Sequence, residues 1–336
     1  MKSLLKRIFP VFLLEYFREL CLRRDLKKSY NYDYRRHLRH SVSNNRFPQR
    51  EQLLSRIILE YHSVEKGLTM PEPRVGFGQK KIIDLCRNII DYIKEYSQED
   101  TQIQHSLGVI KEYVDFHLSN GYKLDSSTDK AIKNLFGILS DRSFPSTSQV
   151  SSNRSDYFAY SNSNFFEFSK SRRSLRSLKS VVVPLEKVTQ VLSLAATTPS
   201  SCNRQPWRTY NFTNIDKISK ILELQGGNRG FGHLVHNLIV IAASLYPYNH
   251  IQERNQAFID GGMYAMNLLY SFHYYQLGAC ILNCSGTPEK DKRLRELCGI
   301  PDSEVMISII IYGEPTDTFK TPISKRFNFE QTNKWT

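Results

Sequence analysis

The chain is poor in cysteine and has no way to group what it has. Its six cysteines (Cys21, Cys86, Cys202, Cys280, Cys284 and Cys298) form no C-x-x-C pair and no Cys/His cluster with zinc spacing. This excludes a zinc framework, and six thiols in 336 residues are too few for a disulfide-stapled scaffold. They read as free thiols in a reducing compartment, so a cytoplasmic location is expected. Long apolar runs are also missing. The opening "MKSLLKRIFPVFLLEYFREL" is cut by Pro10 and ended by Glu15. It is too short to span a bilayer and has no small-residue cleavage site, so neither a signal peptide nor a transmembrane helix is expected. No internal repeat and no Ser/His/Asp nucleophile arrangement is present.

What is abundant is positive charge. Lys and Arg number 46 against 33 Asp and Glu, a net +13, and residues 1–50 hold thirteen of the former against four of the latter. Such an asymmetry permits nucleic acid, an anionic membrane surface or an acidic partner; the alternative is a solvated helix face. No nucleic-acid module or aromatic stacking platform accompanies the charge, which argues against nucleic acid. Leu13, Leu14, Phe17 and Leu20 fall on one helical stripe. Packing on the protein itself is the expectation, and peripheral membrane contact through residues 1–40 stays open.

Length alone suggests two domains. Residues 1–40 read as a basic helix. Apolar spacing predicts further helices over about 49–65, 80–96, 102–118 and 127–139. The first presents Leu53, Leu54, Ile57, Ile58 and Tyr61 and ends at Gly67. The second presents Ile82, Ile83, Cys86, Ile89, Ile90 and Ile93. Residues 140–163 are rich in Ser and Asn and read as a linker or long surface connection. The division is therefore a helical region 1–139, a linker 140–163 and a mixed domain 164–336. In the last, helices are expected over 185–196 (with Pro184 at its start), 215–224, 254–275 and 289–297. "TYNF", "NLIVIAASL", "GACILN" and "VMISIIIYG" read as strands, the last central, and 321–329 as one more. Gly261 and Gly262 would allow close backbone approach inside a helix.

Four stretches carry chemistry. "KSRRSLRSL" places Arg172, Arg173 and Arg176 around Ser174, and guanidinium forks match phosphate oxygens. "TTPSSCNRQPW" offers Ser200, Ser201, Asn203 and Gln205 as polar edges beside the flat apolar surface of Pro206 and Trp207. That mix suits a planar heterocycle with amide edges; an elaborate turn is the alternative. "GACILNCSG" runs a strand into a turn whose backbone amides can reach a ligand. "YGEPTD…ISKRFNF" ends in the cations Lys325 and Arg326, otherwise explained as edge protection.

In this order and spacing, residues from about 166 to 329 resemble the FMN-dependent nitroreductase family. The resemblance rests on "RRSLR", "ATTPSSCNRQPW", "DGGMYAMNLLYSFHYYQLGACIL", "IIIYGEP" and the basic tail. It covers about half the chain and does not reach residues 1–160. It implies an α+β fold, a mixed, mostly antiparallel sheet flanked by helices, preceded here by an all-helical region. It implies a homodimer with flavin at the interface. Ser200, Ser201 and Asn203 would touch the cofactor of the neighbouring subunit, with Gln205 and Pro206 flanking the ring. Arg172, Arg173, Ser174 and Arg176 would hold the phosphate, ribityl chain and ring edge, and Arg326 with Lys325 would complete the phosphate clamp. Asn283, Cys284, Ser285 and Gly286 would lie over the reactive face. A cation beside the ring edge raises a flavin's potential, and Arg229 in "GGNRGFG" is the candidate.

The resemblance implies an FMN oxidoreductase taking hydride from NAD(P)H in a ping-pong cycle and acting on a small molecule, with no protein nucleophile. The alternative is a flavin-binding or flavin-free scaffold that docks a membrane or partner through its basic end. "EYHSVEKGLTMPEPRVGFG" stands outside the resemblance. His62, Glu65 and Lys66 share one helical turn, with Arg74 following. They are candidates to bind a polar or anionic substrate and supply an acid, or else form a charged helix end.

Overall fold

The computed structural model describes residues 10–41, 49–139 and 147–335. Five helices come first: α1 (Val11–His40), α2 (Arg50–Leu68), α3 (Gln79–Glu95), α4 (Thr101–Ser119) and α5 (Ser126–Ile138). Helices α2 to α5 close around their own core. Leu53, Leu54, Ile57 and Tyr61 of α2 meet Ile82, Leu85, Cys86, Ile89 and Tyr92 of α3. These residues recur at three- and four-residue steps, so one face of each helix is apolar. The starts are capped locally: Asp100 accepts from the Gln102 amide at 2.9 Å, and Asp125 from that of Thr128 at 2.7 Å.

Two expectations fail here. Gly67 does not end α2, which runs on to Leu68. The glycine is needed for space, because a Cβ there would overlap the Phe77 ring. Helix α1 does not pack its apolar stripe on the protein. It buries no residue; Leu13 and Leu14 are half-buried, while Phe17 and Leu20 stay 55% and 43% exposed. Glu15, Arg18 and Glu19 lie across the helix from the stripe, so the apolar face is intact but largely uncovered within this chain. What ties α1 down is a fork from Arg254 to Asp33, at 2.6 and 2.9 Å, and a bond from Gln52 to the His40 carbonyl. The first nine residues of the expected basic helix lie outside the described residues.

The stretch expected as a linker contains structure. Residues 140–146 lie outside the described residues, but β1 (Gln149–Asn153) pairs antiparallel with β6 (Thr318–Pro322). Helix α6 (Arg154–Phe158) then buries Tyr157 and Phe158 in the core. Two aromatics are enough to anchor a segment whose remaining residues are polar. At the other end, the strand expected over 321–329 is displaced to Thr318–Pro322, and Phe329–Thr332 is a short helix. The strand stops at Pro322, and Ser324 (φ 51°) turns the chain into the left-handed region.

The second half is a four-stranded antiparallel sheet of order β2 (Trp207–Phe212), β3 (Leu238–Ser244), β5 (Glu304–Gly313), β4 (Gly278–Asn283). Alternation sorts its side chains between two layers. Leu238, Val240, Ala242, Ile309 and Ile311 point to one core, covered by α9 (Ile215–Gln225) and α11 (Pro288–Cys298). Ile239, Ile241, Ile310 and Tyr312 point to the other, covered by α8 (Leu185–Ala195) and α10 (Gln256–Tyr274). Pro184 is the N-cap of α8 rather than its first residue. Gly261 lets α10 approach β5: a Cβ there would lie 2.5 Å from Ile307, whereas Gly262 faces open space. Helix α7 (Phe165–Ser171) leads into the arginine segment. The molecule is thus an antiparallel sheet between helix layers, preceded by a helical region, and among the described residues no strand pair is parallel where a mixed sheet was expected.

Candidate functional site

The arginine segment and the basic tail meet. Arg172, Arg173 and Ser174 form one wall of a cavity of about 570 Å³, and Ser324, Lys325 and Arg326 form the other, with Met266 and Tyr270 of α10 between them. The first wall is fixed by backbone: the Leu175 amide donates to Ala279 O of β4 at 3.0 Å, and Leu175 is fully buried. Tyr157 donates its hydroxyl proton to Arg173 O. Inside this wall the Nε atoms of Arg172 and Arg176 are buried and have no hydrogen-bond partner. A buried guanidinium donor without a partner is costly. Arg176 lies deeper, its guanidinium 6.0 Å from the centre of the Phe231 ring.

The second wall is held from the helical half. The Ser324 amide donates to Glu65 Oε1 at 3.0 Å, and Gln102 Nε2 donates to Lys325 O at 3.3 Å. Behind them, His105 Nε2 bonds Glu65 Oε1 at 3.1 Å, and Tyr61 donates to Gln102 Oε1 at 2.6 Å. Glu65 is fully buried. Burial opposes its ionisation, but the bonds from His105, His62 and the Ser324 amide outweigh it and hold the carboxyl down at about 2. Expected as a substrate-side acid, Glu65 is instead a buried carboxylate that these bonds keep ionised at neutral pH. His62 lies beside it, with Nδ1 3.5 Å from Oε2. Gln102 and His105 were not singled out from sequence, and Tyr61 was read only as part of an apolar helix face. Each sits on the apolar face of a helix, where a polar side chain needs a partner, and that was the available signal.

His273 of α10 backs the arginine wall, its Nε2 2.7 Å from Ser171 Oγ. Burial, and then the neighbouring Arg172 and Arg173 charges, push its pKa down to about 4. The stability that neutral His273 contributes is complete above pH 6.5 and is lost as pH falls toward 4. The linkage amounts to about 2 kcal/mol between pH 7 and pH 5. Urea unfolding at the two pH values measures it, and the difference shrinks in His273→Gln.

Ser200, Ser201, Asn203 and Gln205 do not line this cavity. They form a tight loop in which Cys202, Asn203 and Gln205 have φ of 52°, 56° and 47°. Left-handed backbone at non-glycine residues is strained and persists only where surroundings enforce it. The enforcement is visible. Arg204 donates to Ser201 O, Pro247 O and Glu253, and buried Asp260 accepts from the Ser201 amide and the Tyr248 hydroxyl. Gln205 closes the loop, its amide on Ser200 Oγ and its side chain on Asn203 O. Arg204 and Asp260 were missed from sequence, although both stand inside stretches singled out there. Trp207 is no exposed platform: it stacks on Tyr264 at 4.9 Å.

Asn283, Cys284, Ser285 and Gly286 also lie away from the cleft. Asn283 O accepts from Gln225 at the end of α9, and burial pushes the Cys284 thiol up to about 12. Arg229 and Lys66 line a separate, smaller cavity between the two halves. Among the described residues no cluster of His, Cys, Asp and Glu could hold a metal ion, and no helix is long and apolar enough to cross a membrane.

An antiparallel sheet between helix layers, with a cationic cleft beside it, defines an α+β protein. Residues 169–228 match the model of the Nitroreductase family, a span that contains both the arginine segment and the strained loop, and the C-terminal half of the chain is nitroreductase-like. A protein of Archaeoglobus fulgidus named "Putative NADH dehydrogenase/NAD(P)H nitroreductase" is 29% identical over 154 residues, 44% of this chain and 82% of that one. One of the same name from Methanothermobacter thermautotrophicus is 26% identical over 150 residues, 44% of this chain and 75% of that one. A solved structure titled an FMN-dependent nitroreductase from Clostridium difficile has 22% identity and a TM-score of 0.40, covering 49% of this chain and 93% of that one.

Proposed function

We propose that the chain is an NAD(P)H-dependent oxidoreductase with FMN as its cofactor, acting on a small organic substrate. The observation that carries this is the cleft. The buried Nε of Arg172, without a partner, belongs to the wall where Lys325 and Arg326 face Ser174, and the equally unpartnered Nε of Arg176 lies deeper. A phosphomonoester dianion satisfies such a donor set. Arg172, Arg173, Ser174, Lys325 and Arg326 would hold the phosphate end, and Arg176 the deeper part of the cofactor. When bound, FMN supplies the hydride acceptor, so the protein needs no nucleophile of its own. The chain's part is to fix the cofactor and exclude water. His273 stays neutral behind the arginines and adds no competing charge.

The strained loop supports a homodimer. Its residues do not line the cleft of their own chain, and α10, to which Ser201 is bonded through Asp260, exposes Phe258, Ile259 and Met263, with Met266 at the cleft itself. A contiguous apolar stripe beside an enforced polar loop marks a surface made for a partner. In this reading Ser200, Ser201, Asn203 and Gln205 reach the cofactor of the second subunit.

The test is visible absorbance of the purified protein before and after anaerobic NADH or NADPH, with the mass in solution measured on the same sample. A flavin spectrum that bleaches, at twice 39.1 kDa, is expected. A colourless protein that takes up no added FMN overturns the reading. It would favour the scaffold alternative, for which the observation is α1: a basic helix without a buried residue that exposes Phe12, Tyr16, Phe17 and Leu20.

A further inference from the structure

Between the two halves lies a second cavity, of about 240 Å³, that the oxidoreductase reading does not use. Its walls come from four places: the last turns of α2, the connection from Met70 to Gly78, the first turn of α3, and the glycine-rich loop around Arg229. Lys66, Arg74, Lys81 and Arg229 line it, with Glu72 as the single carboxylate. Among the described residues none of these four cations makes an ion pair; Lys66 donates only to Gly227 O, at 3.3 Å. Like charges from separate chain segments repel when gathered around one small space, and an anion between them removes the repulsion and satisfies their donors. The volume equals on the order of eight waters at ~30 Å³ each, enough for an oxyanion and part of the molecule that carries it.

We propose that this cavity binds the phosphate group of a molecule that reacts at the neighbouring cleft. Lys66, Arg74 and Arg229 are the principal donors, and Lys81 adds field at the rim. The cavity is placed for this. Lys66 is close enough to Arg176 for the two charges to interact, and Arg176 stands two residues beyond Ser174 of the cleft wall. Burial and the charges of Arg176 and Lys81 push the Lys66 pKa down, the signature of a cation held without a counter-charge. Only the word "reacts" depends on the oxidoreductase reading; anion binding itself does not.

The full-length protein, saturated with FMN, is titrated calorimetrically with inorganic phosphate at constant ionic strength. Saturable binding is expected, weakened about tenfold or more in Arg74→Ala/Arg229→Ala, with FMN affinity unchanged. If the protein takes no FMN, the cofactor reading fails, and the same titration is run on Arg172→Ala/Arg326→Ala so that the larger cleft cannot compete. Absence of saturable binding overturns the proposal, and so does binding that the Arg74/Arg229 substitutions leave intact. Steady-state kinetics with that double variant then identifies the source of the phosphate. A loss confined to NADPH assigns its 2′-phosphate, an equal loss with NADH and NADPH assigns their shared pyrophosphate, and a loss with neither assigns a phosphorylated second substrate.

Discussion

The Arg172→Ala/Arg326→Ala variant binds FMN about a thousandfold more weakly than the parent and binds riboflavin about as tightly as before. Both side chains line the same cavity from opposite walls. Each lost charge-assisted bond costs roughly 1.5–3 kcal/mol, so two together cost on the order of 4 kcal/mol, or three decades in affinity. Riboflavin lacks only the phosphate, so it serves as the internal control. Neither arginine is part of the apolar core, and the variant keeps its fold. Fluorescence-quenching titrations with the two ligands decide the matter. Equal FMN affinity in parent and variant would remove the phosphate clamp from the account, and equal losses for both ligands would move the arginines to the ring end.

Glu65→Ala has the second large effect, on stability first. Glu65 is fully buried and bonded to His105 and the Ser324 amide. Removing it strands both partners, which costs about 3–5 kcal/mol. The melting temperature falls by roughly 4–7 °C for a chain of this size. The depressed carboxyl gives the pH dependence its sign. The stabilisation is complete above 4.5, the ordinary value, and is lost as pH falls toward about 2, so parent and variant converge in acid. Because Ser324 precedes the two tail cations, Glu65→Ala also lowers the ratio of FMN to riboflavin affinity at temperatures where it stays folded. A variant that loses both affinities equally would show that Glu65 serves the fold alone.

Much of this architecture was readable before the coordinates. "NLIVIAASL" and "VMISIIIYG" are short β-branched runs buried on both faces, and they became β3 and β5 at the middle of the sheet. The helix stripes of α2 and α3 follow from spacing alone. The convergence of Arg172–Ser174 with Lys325 and Arg326 followed from a family resemblance. What could not be read was anything decided across long separations. Nothing local to Glu65 points to Ser324, 259 positions away. "QVSSN" has too little apolar content to announce β1, because its strand state comes from β6. Helix α1 was misjudged for a related reason: its leucines and aromatics form a stripe that suggested packing, but no other element of the chain covers most of it.

The way the tail is held bears on how this chain can be taken apart. A chain beginning after residue 139 would keep the four-stranded sheet and both of its helix layers. It would lose Glu65 and Gln102, the anchors of Ser324 and Lys325, and Glu112, which binds Ser148 ahead of β1. It would also lose Met70, which packs against the sheet's core. The helical half is therefore no detachable ornament on a smaller enzyme. The two pieces are pinned through the last strand, and dissection into a minimal domain sacrifices one wall of the site it was meant to isolate.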